Sequence, residues 1–388
     1  MAQAPEAAGE SALDRASPTG PRRPATTPSA AGRRLSPDPK RRPRVVAAAL
    51  AVLAVALAVS LILATLQGTV AIPPQTVLEI ILRHLGVPLT PHWSAADDLI
   101  IMQVRLPRAL GAALVGAALG VSGALLQGLL RNPLADPLLL GTSSGAGLGA
   151  VVAIALTASI TVDWLGFSLV ALLAFAGALL SVALVYALAT RGGRTPVVTL
   201  LLAGVAVGAM LTAAQTLVIV LAVSLQQRFG ALYFWFSGAV DVESWASLWV
   251  VGALLAVGLL AALWVAPTLD AFALGEEMAG SLGVAVERRK LAIVGAAALL
   301  VAASVTIGGL IGFVGLVAPH LCRMALGPRS RPLVAASALG GAIFVTLADL
   351  LARAIIAPSE LPLGVLTAVI GGPFFLWLLR YAGQRYRW

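Results

Sequence analysis

Cysteine and lysine are almost absent from this chain, and charge of either sign is scarce. Of 388 residues one is cysteine, Cys322, which excludes an internal disulfide and leaves a small packing residue as the simplest reading. The two lysines, Lys40 and Lys290, follow no glycine. The chain therefore carries no G-x-x-x-x-G-K-[ST] phosphate loop and supplies no ATPase of that kind. Charged residues make up 11% of the sequence, against about 25% in an ordinary soluble domain. That is too little polar surface to cover a soluble protein of 39.5 kDa, so a soluble globular enzyme is excluded. Strand alternation at about ten-residue spacing is also missing, which excludes a membrane β-barrel.

What is present is apolar: 59% of residues, with a mean hydropathy of +0.95. The solvent for most of such a chain is lipid. The net charge of +9 divides unevenly, with nine basic and four acidic residues in 1–44. No basic patch interleaved with aromatics appears, which argues against nucleic acid as a partner. Residues 1–43 hold eight of the 23 prolines among Ala, Ser, Thr and Arg, a mixture that cannot bury enough apolar surface to offset ordering. A disordered basic tail is expected there, followed by a single transmembrane domain over 44–388.

Residues 45–66 form a run of 22 uncharged residues, enough to cross a bilayer core at about 1.5 Å per residue and longer than a secretory signal core of about 7–15. Further uncharged runs cover 109–130, 138–162, 164–190, 195–227, 244–269, 291–322, 332–348 and 361–379. In hydrocarbon an unpaired backbone group costs several kcal/mol, so each run should be helical. If 291–322 crossed once, the clusters Arg323, Arg329, Arg331 and Arg380, Arg385, Arg387 would face opposite sides. If it folds back at Gly308, Gly309, Gly312 and Gly315, ten crossings result, with 21 basic residues inside and five outside. The positive-inside rule selects ten. At least one of the two helices made from that 32-residue run must then be short, and a glycine-rich break at membrane depth marks a helix beside a pathway.

The five outer basic residues, Arg83, Arg105, Arg108, Arg228 and Arg353, oppose the usual bias. They can steer an acidic partner; alternatively Arg353 pairs with Asp349 one helical turn away and the others snorkel to headgroups. Gly116 and Gly120, joined by Gly123, permit close helix approach. The turn from Asn132 and Pro133 to Asp136 and Pro137 stops one helix and starts another. Pro319 and His320 lie near an inner helix end, and that histidine, with no Cys, Asp or second His at ligand spacing, reads as structural rather than as a proton relay or metal ligand.

Taken together, RLPR (105–108), NPLADP (132–137), LLGTSSGAG (139–147), LLLAGVAVGAM (200–210), ALGEEMAGSLGV (273–284), GGLIGFVGLVAPHLCR (308–323), SALGGAIFVTLADLLAR (337–353) and ELPLGVLTAVIGGPFFLWLLR (360–380) resemble the FecCD family, permease subunits of ABC importers for iron chelates and cobalamin. The resemblance implies an all-α bundle of ten transmembrane helices of the type II importer kind, in the plasma (inner) membrane with both termini cytoplasmic. It also implies a second permease subunit, two separate ATPase subunits below, and an extracytoplasmic substrate-binding protein above. It implies neither a catalytic residue nor a cofactor or resident metal. Arg105, Arg108 and Arg353 match the outward arginines that face the binding protein in that family. Segment 269–290, with Ala273, Leu274, Gly275, Glu276, Glu277, Ser281, Leu282 and Gly283, resembles the coupling helix that seats on each ATPase. Its acids suit the first turn of a short helix that Gly283 can end. Gly327 to Arg331 departs from the family, replacing an acidic residue and a histidine, which puts an ATPase contact there in doubt. The expected cargo is a ferric siderophore. Cobalamin or haem stays open, as does an ion-coupled secondary transporter, for which Asp349 and His320 are a thin supply of ionisable groups.

Overall fold

A computed structural model describes residues 41–156, 163–164, 167–222 and 228–382. The tail expected to be disordered lies, up to residue 40, outside the described residues. The chain divides into two units, Met1–Pro43 and Arg44–Trp388, and the second contains the helical bundle.

In lipid the backbone satisfies its own polar groups by coiling, and the unit is helical almost throughout. In chain order the helices are α1 (Arg41–Leu66), α2 (Pro74–His84), α3 (Ala95–Leu99), α4 (Leu106–Leu129), α5 (Thr142–Leu156), α6 (Leu169–Ala189), α7 (Val197–Leu221), α8 (Phe229–Ser237), α9 (Trp245–Phe272), α10 (Glu276–Ser281), α11 (Val286–Gly308), α12 (Val314–Leu326), α13 (Ser330–Ala354) and α14 (Leu363–Ala382). Two two-residue strands, β1 (Asp163–Trp164) and β2 (Phe167–Ser168), pair antiparallel ahead of α6. Among the described residues eight helices are long and apolar enough to cross a membrane, and α5 and α12 are shorter apolar helices. The run 291–322 does not continue as one helix. Helix α11 stops at Gly308, Gly309 adopts φ +61°, and α12 restarts after Phe313 at φ +66°. Left-handed backbone is cheap for glycine and costly for phenylalanine, so this break is held from outside.

Helix α4 forms the centre. A Cβ at Gly116 would collide with the Gly341 carbonyl, one at Gly120 with that of Ser337, and one at Gly123 with that of Gly315. The first two contacts bring α4 against α13 backbone to backbone; the third brings it against α12. Between helices already dissolved in apolar solvent there is no hydrophobic drive, so this proximity supplies the dispersion contacts that hold them. Two features have no counterpart in the sequence reading. Helix α2 buries Val77 and Ile80 against Ile72 and Ile101 in a small cluster outside the main core. A turn of π-helix, Ile100–Arg105, also joins α3 to α4.

Candidate functional sites at the two mouths of the bundle

The ends of the helices gather into two polar mouths. One carries 130–136, 190–196, 269–290 and 326–331; the other carries 66–70, 105–108, 238–245 and 349–363. Ties across each mouth establish the grouping: Asp270 Oδ1 accepts from Ser330 N at 2.9 Å and Oγ at 2.6 Å in the first, and Leu363 N donates to Gly238 O at 2.8 Å in the second.

In the first mouth, α9 ends at Phe272 and the chain turns through Ala273, Leu274 and Gly275, which takes φ +108°. Glu276 and Glu277 occupy the first turn of α10, where the helix dipole favours acids. Gly283, at φ +83°, closes the other end, with Val284 N donating to Ala279 O at 3.1 Å in a Schellman turn. Within this segment Ala279 is fully buried, whereas Leu274 before the helix, Met278 within it and Leu282 at its end are each more than half exposed. Among the described residues nothing covers these three large apolar side chains at the polar end of the bundle. Ser281 Oγ donates to Glu277 O at 3.1 Å. Arg131, in left-handed backbone at φ +49°, ends α4 and reaches to within 4.0 Å of a Cβ placed on Gly275.

The second mouth holds the arginines. Arg108 donates to Asp349 Oδ1 through Nε at 3.1 Å and Nη2 at 2.9 Å, and grips Glu360 Oε1 and Oε2 at 3.1 and 2.9 Å. Asp349 is 1% exposed, and its other oxygen accepts from Arg353 Nε at 3.0 Å, the i,i+4 pair. Arg353 also donates to Gln67 O and Ala64 O, both at 3.1 Å. Arg105 donates to Leu66 O at 3.0 Å and to Val70 O. Arg105 and Arg353 thus face inward, with their guanidinium donors on the last carbonyls of α1 and the residues after it. Those orphan carbonyls attract positive charge, and no headgroup is needed to explain these arginines. Arg108, half-buried, and Glu360, exposed, form the rim.

At the inner side of the first mouth, the turn after α4 grips the break before α12. Asn132 Oδ1 accepts from Leu134 N at 2.9 Å and Asp136 Oδ1 from Leu138 N at 2.8 Å, so each proline of the turn follows a side chain that fixes the local backbone. The Asp136 carboxylate also accepts from the Phe313 amide, while burial raises its pKa above the ordinary 3.8. Pro133 is half-buried; Pro137 packs where a Cβ on Gly315 would sit, and Gly312 faces Leu138. Gln127, missed in the sequence because a lone glutamine carries no spacing signal, is 1% exposed and donates to Gly315 O at 3.1 Å. Pro319 is buried in α12. Beside it His320 is buried with its ring edge-on to Phe374, centroids 5.9 Å apart. Cys322 Sγ donates to Ala336 O at 3.3 Å. No three His, Cys, Asp or Glu side chains gather as metal ligands among the described residues.

A membrane helix bundle with one helix broken, no nucleotide loop in its sequence and a short, partly exposed helix at one mouth fits a membrane permease powered by another subunit. The chain belongs to the FecCD transport family, whose pattern matches residues 42–381. It is 39% identical over 351 residues to the cobalamin import system permease protein BtuC of Halobacterium salinarum, covering 89% of this chain and 90% of that one. It is 41% identical to the hemin transport system permease protein HmuU of Yersinia pestis, over 74% of this chain and 85% of that one. Among solved structures, an inward-facing conformation of a metal-chelate type ABC transporter superposes with a TM-score of 0.67 at 29% identity, covering 79% of this chain and 96% of that chain. The chain is therefore an ABC importer permease of the inner membrane, working with a second permease, and ATP is hydrolysed in separate ATPase subunits. Its relatives include cobalamin and haem permeases, so relatedness alone does not select a siderophore as cargo.

Proposed function

We propose that this permease imports a metal tetrapyrrole, cobalamin or haem, by alternating access. The observation that carries this reading is the likeness to a cobalamin permease along 89% of the chain. A ferric siderophore is the second reading, favoured by the metal-chelate transporter among the solved structures. The chain crosses the bilayer ten times, the eight long helices being joined by α5 and α12. Both termini and segment 269–290 then share the cytoplasm. Helix α10 and its flanks seat Leu274, Met278 and Leu282 in an ATPase subunit. A binding protein docks outside on Arg108, with Arg105 and Arg353 shaping the platform beneath it, and the turn 132–137 with Gly312, Gly315, Pro319 and His320 forms the gate region. Lipid covers the remaining face. The cargo shifts the conformational equilibrium by its differential affinity for the two states.

Reconstitution with the ATPase subunits and binding protein tests the reading, using labelled cyanocobalamin, haem and a ferric siderophore in turn. ATP-dependent uptake of a tetrapyrrole is expected; uptake of the siderophore alone moves the cargo to the second reading. Uptake on an ion gradient with no ATPase subunit present overturns the importer mechanism. Arg108→Gln should weaken binding-protein association and flatten its salt dependence. Unaltered association would leave the three arginines with intramolecular roles only.

A further inference from the structure

We propose that Lys290 is a positioning residue that ties α10 to the start of α7, so that movement of the ATPase-facing helix is carried into α7 by an ionic link. This rests on the reading of α10 as the ATPase contact. Lys290 lies in the first turns of α11, and its side chain is 4% exposed. An ammonium has three protons to place. Here they meet Thr195 O at 2.9 Å, Glu287 Oε1 at 3.1 Å and Glu276 Oε2 at 2.5 Å. Glu287 Oε2 in turn accepts from Thr195 N at 2.9 Å. The three acceptors belong to α10, to α11 and to the link between α6 and α7, so one buried charge joins three elements.

The link it grips is stiff. Arg191 and Arg194 exchange backbone hydrogen bonds at 2.9 and 3.1 Å, the Thr190 and Thr195 hydroxyls meet at 2.9 Å, and Pro196 leads directly into α7. Displacement of Thr195 therefore becomes displacement of Val197. Within this chain 17% of the apolar stretch of α7 is buried, against 33% for α6 and 72% for α11. Elsewhere in the same mouth Asp270 ties α9 to Ser330 of α13. That tie fastens two helices of the body, whereas the Lys290 cluster reaches a helix that is little buried within this chain. A buried cation whose partners sit on separate elements transmits displacement because letting go of any one strands a charge.

The test uses the assembled importer in lipid nanodiscs with Leu202→Cys as reporter. Leu202 is 65% exposed on α7, and the native Cys322 is 7% exposed. The rate of maleimide labelling is compared with and without ATP and vanadate. A nucleotide-dependent change is expected in the parent; its absence overturns the proposal. Lys290→Met should keep the ATPase subunits bound and hydrolysing while reducing the nucleotide-dependent change at least fivefold, and Lys290→Arg should restore most of it. A response equal to the parent's in Lys290→Met overturns the link. If Lys290→Met does not assemble, Glu287→Gln, which weakens the hold on Thr195, should reduce the response at least twofold, and a full response overturns the proposal. Leu274→Asp with Leu282→Asp separates the two claims. Loss of ATPase subunits in that variant, beside a full response in Lys290→Met, removes the link alone; retention of the subunits removes the reading of α10 on which it stands.

Discussion

Helices α4 and α7 have 24 and 25 residues, and both are apolar enough to cross a membrane, yet 83% of the stretch containing α4 is buried against 17% of α7. The difference lies in side-chain size. Gly116, Gly120 and Gly123 let α4 touch the carbonyls of α13 and α12, whereas Val198, Leu202, Val205 and Met210 hold other helices away from the outer face of α7. In lipid, burial follows smallness rather than hydrophobicity, because an apolar surface gains nothing by leaving an apolar solvent. Helix α4 is also the one whose first turn carries a buried charge cluster, through Arg108.

The comparison breaks hardest at that cluster. Asp349→Ala would leave two guanidiniums without their shared carboxylate, and removing one partner of a buried pair costs about 3–5 kcal/mol. Denaturation in detergent should show that loss, and a change below about 1 kcal/mol would mean that water reaches the cluster and screens it. Next in size is Gly123→Ala, which drives a methyl into the Gly315 carbonyl. Overpacking of this kind costs about 1–3 kcal/mol, while Gly372→Ala, where no atom lies within 4 Å of the added carbon, should be silent. Equal effects at the two glycines would refute close approach as the organising contact of α4.

The pH profile sharpens the contrast at the foot of α4. Burial raises the Asp136 pKa above 3.8, so its ionised form is the one that folding opposes. Its contribution to stability is greatest below 3.8 and falls as pH rises through the interval up to the raised folded value. Asp136→Asn should flatten the profile across that interval, and an unchanged slope would exclude Asp136 as its source. The smallest effect belongs to α7: Leu202→Ala should stay within about 0.5 kcal/mol of the parent. A larger loss would show that a partner subunit covers this face.

Several local features were legible because their causes are local. The break within 291–322 follows from glycine spacing, and the i,i+4 pair of Asp349 and Arg353 follows from helical geometry. The burial of Arg105 was not legible, because its acceptors, Leu66 O and Val70 O, are backbone atoms 39 and 35 residues away. Lys290 stands out in the sequence only as a lysine outside any phosphate loop; its partner Thr195 O is 95 residues distant. Helix α2 escaped because hydropathy reports what lipid can hold, and an amphipathic helix outside the long apolar runs leaves no such trace.

Composition and the spacing of charge determined by themselves that this polypeptide lives in lipid as helices, since hydrocarbon offers the backbone no other partner. Folding alone decided which helices touch and which cations are buried. Those outcomes depend on backbone carbonyls and on glycines meeting across the bundle, and a carbonyl is the same in every residue until the chain has brought it somewhere.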